Sequence, residues 1–127
     1  MSVRLLESQR AAELRASPFT YDGVGALISG ATPDGFTRLS RSRTLERRDF
    51  DAAADDLLAW RAQAGAGLNV QASDIPLVEG TVVLLRLGPG PLSVHIPCRV
   101  VTVVDEPRRR GFAYGTLAGH PESGEEQ

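Results

Sequence analysis

The sequence predicts an α+β fold, an antiparallel curved sheet with one main helix packed on it. Three observations carry this. Residues 48–64 hold the clearest helical period in the chain. Two Val/Leu-rich runs, GTVVLLRLG at 80–88 and VHIPCRVVTVVDE at 94–106, are bounded by turn residues, as strands are. Only short turns separate the runs of the second half, and short turns join antiparallel neighbours. Strand, helix, then a run of strands is an α+β order.

In chain order, residues 2–16 predict a short amphipathic helix, with Val3, Leu6, Arg10 and Ala11 near one face and Leu14 following. Ser17-Pro18 ends it, because the residue before proline avoids the helical region. FTYDGVGALISG then predicts a short strand or extended arm, broken by Gly23, Gly25 and Gly30. Residues 36–46 alternate and predict the first strand, with Leu39, Arg41, Arg43 and Leu45 on one face. Residues 1–35 are thus an N-terminal helix and arm, and 36–127 a strand–helix–sheet core, within a single domain.

Asp49 is placed to cap the main helix, and Asp51 suits its first turn. Phe50, Ala54, Leu57, Leu58 and Arg61 form its stripe, Trp60 is expected to touch the sheet, and Gly65 and Gly67 stop it. LNVQA is a short strand, Gly88-Pro89-Gly90-Pro91 turns one long strand into the next, and GFAYGTL follows the 105–111 turn.

Composition narrows the function classes. The chain has 127 residues, 42% hydrophobic and 24% charged, with a net charge of −2, so nothing pulls it towards nucleic acid or acidic membranes. Its basic residues are all Arg, which is first a matter of residue usage. A lone cysteine, Cys98, forbids an internal disulfide and is expected to pack as a small apolar residue. No apolar run approaches the roughly 20 residues needed to span a membrane, and the N-terminus lacks the pattern of a signal peptide. The expected location is the cytoplasm. The arginines at 108–110 are expected at a solvated hairpin tip, without the aromatic platform that nucleic-acid binding would use.

Several long stretches carry a family resemblance: FTYDGVGA, the Arg-rich 36–46 segment, LLAWRAQAGAG, IPCRVVTVVDEPRRRGFAYGTL and GHPESGEE. Across nearly its whole length the chain resembles an uncharacterised bacterial and plant family, the domain of unknown function 1990. That resemblance implies that members continue with another strand or two and a terminal helix, so this chain is expected to be either a shortened version, lacking the C-terminal strand and helix, or a fragment. It also implies a helix-grip-like topology, similar to lipid-transfer proteins, with an apolar cavity under the sheet. GHPE-x-GEE is a signature of the family, which brings no established activity.

The polar end, His120, Glu122, Glu125 and Glu126, is the sharpest candidate site. It is either a set of structural or solvated charges or a ligand or acid–base site. Its spacing matches no established metal motif, and no cofactor is implied. The stretch Gly119-His120-Pro121-Glu122 is expected to fold back over the sheet, near Tyr114 and the Tyr21-Asp22 arm. Arg41 and Arg43 either lie along a sheet edge or enter a cavity, where they would hold an anionic head group or pair with Glu122 or Glu125. The candidate ligand-binding residues are Tyr21, Asp22, Arg41, Arg43, Tyr114, His120, Glu122 and Glu125.

Three functions compete. The first is a module binding a small, largely apolar or amphipathic ligand with a polar or acidic end. The second is a hydrolase or isomerase using His120 with Glu122 or Tyr114 as acid and base. The third is a domain that self-associates into a homo-oligomer through an exposed sheet edge. Whether His120, Glu122, Tyr114 and Asp22 converge on one concavity separates the first two: if they scatter over the surface, the enzyme reading loses its basis.

Overall fold

Alternation along the apolar runs builds the sheet. The computed structural model describes residues 2–127. Four strands, β2 (Asn69–Ala72), β3 (Val82–Leu87), β4 (Val94–Glu106) and β5 (Arg109–Thr116), form an antiparallel meander. β1 (Val3–Leu5) adds to β2 in parallel, and β6 (Glu125–Glu126) adds to β5 antiparallel, so the spatial order follows the chain. The sheet is open and curved. A register shift between Val100 and Thr102 breaks the β4–β5 ladder, and such bulges bend a sheet.

Each face buries its own apolar set. One face carries Val70, Val83, Leu85, Cys98, Val100, Phe112 and Tyr114, all packed around Trp60. The other carries Val82, Leu84 and Leu117 against Leu6, Ala11 and Leu14. Helices α3 (Phe50–Leu58) and α4 (Arg61–Gly65) cover the first face, and α1 (Ser8–Ala16) the second. The sheet is therefore sandwiched, where the sequence predicted one main helix.

That main helix is also broken. Trp60 adopts a left-handed backbone, φ 65°, between α3 and α4. The turn drops its indole into the core, fully buried, with ring centroids 5.3 Å from Phe112 and 6.1 Å from Tyr114. Burial of the largest side chain outweighs helical continuity, since such a backbone costs about 1–3 kcal/mol and a buried Trp contributes more. The Asp49 carboxylate caps α3 by accepting from the Ala52 amide at 3.0 Å. Arg110 fastens the start of α3 to the β4–β5 hairpin, 3.0 Å from Asp51 and 3.2 Å from Asp105, with its guanidinium over the Phe50 ring. Its half-buried position shows that the 108–110 run is not wholly a solvated tip.

Two other expectations fail. Residues 3–5 are strand, and the first helix begins only at Ser8, because Val3 finds a parallel partner in Val70. Residues 36–46 form no strand and are exposed after Phe36. Leu39 and Leu45 are 87% and 58% exposed. A strand needs a neighbour, and this segment pairs with none; the place beside Tyr114 and Gly115 of β5 goes to β6. The arm at 19–30 contains one helical turn, α2 (Ala26–Ser29), with Gly25 and Gly30 left-handed at its two ends.

On the outer face Arg99 ends α1. It donates to the carbonyls of Arg15 and Ser17 at 2.9 and 3.0 Å, and its guanidinium lies 4.2 Å from the centre of the Phe19 ring. This fixes where the chain leaves α1 and sends the arm back across β5. Phe19 bridges to Leu117, and the Thr20 amide donates to the Thr116 carbonyl at 3.1 Å.

Candidate functional site

The site grows from the last strand. After β5 the chain turns through Gly119, φ 98°, and returns as β6 beside Tyr114 and Gly115. Hydroxyls close this return loop. Thr116 is buried, and its hydroxyl contacts that of Thr20 and accepts from the Gly124 amide. Thr20 reaches on to the Ser123 hydroxyl at 3.2 Å.

Consecutive strand residues point to opposite faces. Glu125 opposes Gly115 and faces outward, and Glu126 opposes Tyr114 and faces inward. Each carboxylate meets a tyrosine. Glu125 accepts from the Tyr21 hydroxyl at 2.6 Å and from the amides of Gly25 and Leu27 at 2.8 and 3.1 Å. Glu126 accepts from the Tyr114 hydroxyl at 2.9 Å. The hydroxyl end of Tyr21 packs against Gly115, which has no side chain to hold it off. The Phe19 and Phe36 rings flank Tyr21 at centroid distances of 5.6 and 6.3 Å.

Both phenols are held neutral. Burial raises the pKa of Tyr21, and its hydrogen bond to Glu125 raises it further. Tyr114 is raised by burial first and by the Glu126 charge next. The Cys98 thiol is pushed up to about 12, by burial and then by Glu126. This thiol is a packing residue and not a nucleophile.

Two cavities flank β6. The smaller, about 270 Å³, lies on the Trp60 face. Leu68, Leu85, Ile96 and Cys98 form its apolar wall, and Tyr114, His120 and Glu126 are among its polar groups. Burial lowers the pKa of His120, against the pull of the Glu122 charge. The Glu122 amide donates to His120 Nδ1 at 2.9 Å. In the neutral ring Nδ1 is thus the acceptor, and the proton sits on Nε2. The larger cavity, about 840 Å³, is a groove between α2, residues 31–41 and the end of the chain.

The candidate residues divide between these spaces. Tyr114, His120, Glu122 and Glu125 line the smaller cavity. Tyr21, Arg41, Glu122 and Glu125 line the larger. Asp22 and Arg43 are exposed and line neither. Three of the four groups named for convergence therefore share one concavity, and Asp22 does not. Arg41 and Arg43 form no ion pair with Glu122 or Glu125 among the described residues, because the segment bearing them is no strand and Glu125 already has three donors.

Glu126 belongs to the polar end named from the sequence but not to the candidate ligand-binding residues, yet it is the partner of Tyr114. The signal was the Glu-Glu doublet, which on a strand must serve both faces. The apolar wall was legible as strand residues but not as a cavity lining, since the return path of residues 117–124 decides what stays uncovered. Among the described residues no three His, Cys, Asp or Glu side chains gather as metal ligands, and no helix is long and apolar enough to cross a membrane.

Comparison with curated proteins finds no match, and comparison with solved structures finds none. Residues 20–127, from the arm through β6, match the family described as Domain of unknown function (DUF1990). The match takes in the Tyr21 arm, every strand of the meander and the returning Glu-Glu doublet, and the chain belongs to the DUF1990 family.

Proposed function

We propose that this domain is a binding module for a small, largely apolar ligand with a polar end, held in the cavity on the Trp60 face. One observation carries the reading. Tyr114, His120 and Glu126 meet at a cavity walled by Leu68, Leu85, Ile96 and Cys98. Ligand sites combine an apolar wall with a few polar groups in this way, and volumes of about 300–1,000 Å³ are usual. At about 270 Å³ the cavity suits a small ligand. The acidic end weighed from the sequence fits poorly, because Glu122, Glu125 and Glu126 all line the cavity and no Arg does. Self-association through a sheet edge has less support, because β1 and β6 are only 3 and 2 residues long, and short edges discourage pairing.

Native mass spectrometry of protein purified from cells tests the reading. The expected result is a retained adduct of low mass that a Leu85→Phe variant, which fills the wall, does not retain. A folded protein that carries no adduct, and whose Leu85 and Ile96 methyl signals ignore a panel of small apolar fragments, would remove it.

A further inference from the structure

The rim of the smaller cavity holds a fixed donor at His120 and carboxylate acceptors at Glu122 and Glu126. His120 Nδ1 is taken by the Glu122 amide at 2.9 Å, so the free polar atom of the neutral ring is Nε2–H, a donor. Glu126 Oε2 is taken by the Tyr114 hydroxyl at 2.9 Å, while Oε1 has no partner among the described residues and remains an acceptor. Glu125 has no such role to play, because Tyr21, Gly25 and Leu27 already donate to its two oxygens.

Resting on the binding reading above, we infer that the ligand's polar end is a neutral carboxamide, its carbonyl accepting from His120 Nε2–H and its N–H donating to Glu126. A carboxylate offers only acceptors, so it has nothing to donate to Glu126, and it would lie beside the like charges of Glu122, Glu125 and Glu126 with no Arg in the lining. An ammonium offers only donors, and would leave the His120 donor at the rim without an acceptor from the ligand. A carboxamide carries both functions on one planar group and satisfies both protein atoms without a net charge.

The test uses the full chain with methyl labelling and three probes that share one apolar ring: cyclohexanecarboxamide, cyclohexanecarboxylate and cyclohexylmethylamine. Titrations are followed by the Leu85 and Ile96 methyl signals. Long-range proton–nitrogen spectra report the tautomer of His120. The expected result is that the carboxamide binds at least tenfold more tightly than either charged probe and shifts His120 Nε2 but not Nδ1. His120→Ala should bring the carboxamide down to the level of the charged probes, while leaving the fold intact by the dispersion of its spectrum. Equal or tighter binding of the carboxylate or the amine overturns the inference and leaves the binding module standing. An Nδ1–H tautomer overturns it as well. No methyl response to any probe overturns both.

Discussion

Replacing Gly115 by alanine isolates the contact that holds the arm to the sheet. The backbone at Gly115 is not left-handed, so alanine is free of conformational strain there. Its new Cβ, however, would lie 2.8 and 2.9 Å from the Cζ and Cε1 atoms of the Tyr21 ring and against the hydroxyl itself. The ring must leave. Its departure removes the phenol–carboxylate hydrogen bond, which as a bond to a charged group contributes about 1.5–3 kcal/mol. Contacts with Phe19 and Phe36 add about 0.5–1.5 kcal/mol each when well formed. Against this, alanine restricts the unfolded chain and returns roughly 0.4–1 kcal/mol. Combined, these ranges give an expected net loss of about 1.5–5.5 kcal/mol, measured by urea denaturation with an unchanged slope. A double-mutant cycle gives the sharper answer: in a Tyr21→Ala background, Gly115→Ala should be close to neutral. The reasoning is refuted if Gly115→Ala costs less than about 0.5 kcal/mol, or if it costs the same with and without the Tyr21 ring.

Three other outcomes follow from the same structure. Trp60→Ala should cost about 3–5 kcal/mol by chemical denaturation, since the indole is fully buried; a cost near 1 kcal/mol would mean that the Trp60 face repacks without it. Stability should fall as the pH rises above about 10, because the folded state holds Tyr21 and Tyr114 protonated at a pH where free tyrosines ionise. Their contribution is full below the unfolded pKa and fades towards the folded one, and Tyr21→Phe should flatten the upper limb of the profile; an identical limb would count against it. Cys98, 3% exposed, should react with a thiol reagent only on unfolding, so rapid labelling of native protein near neutral pH would contradict its burial.

Much of the sheet was legible because its signals are local. The Val/Leu runs, the Gly-Pro turn and the period-2 alternation each act over a few residues. Asp49 capping α3 is equally local. The failures lie where a distant partner decides. Residues 36–46 alternate as a strand does, but no strand pairs with them. Val3 is helix-compatible by pattern and strand by virtue of Val70, some seventy residues away. Trp60 breaks its helix because a hole between Phe112 and Tyr114 rewards the indole. The site shows the same division. Tyr114, His120 and Glu122 stand out as polar groups near a glycine-rich turn, but the roles of Glu125 and Glu126 depend on which face each meets after the chain doubles back.

The glutamate doublet has a consequence for how the end of the chain finds its place. A two-residue strand has almost no backbone ladder to fix its register, and a slip of one residue exchanges the faces. In one direction the slip sets Gly124 against Gly115 and Glu125 against Tyr114, leaving Tyr21 without a carboxylate. In the other it sets Glu126 against Gly115 and Gln127 against Tyr114, so an amide replaces the acid under Tyr114. Only one alignment gives both phenols a carboxylate. The closing strand is thus keyed by parity, with two side chains acting as a lock that its backbone is too short to provide.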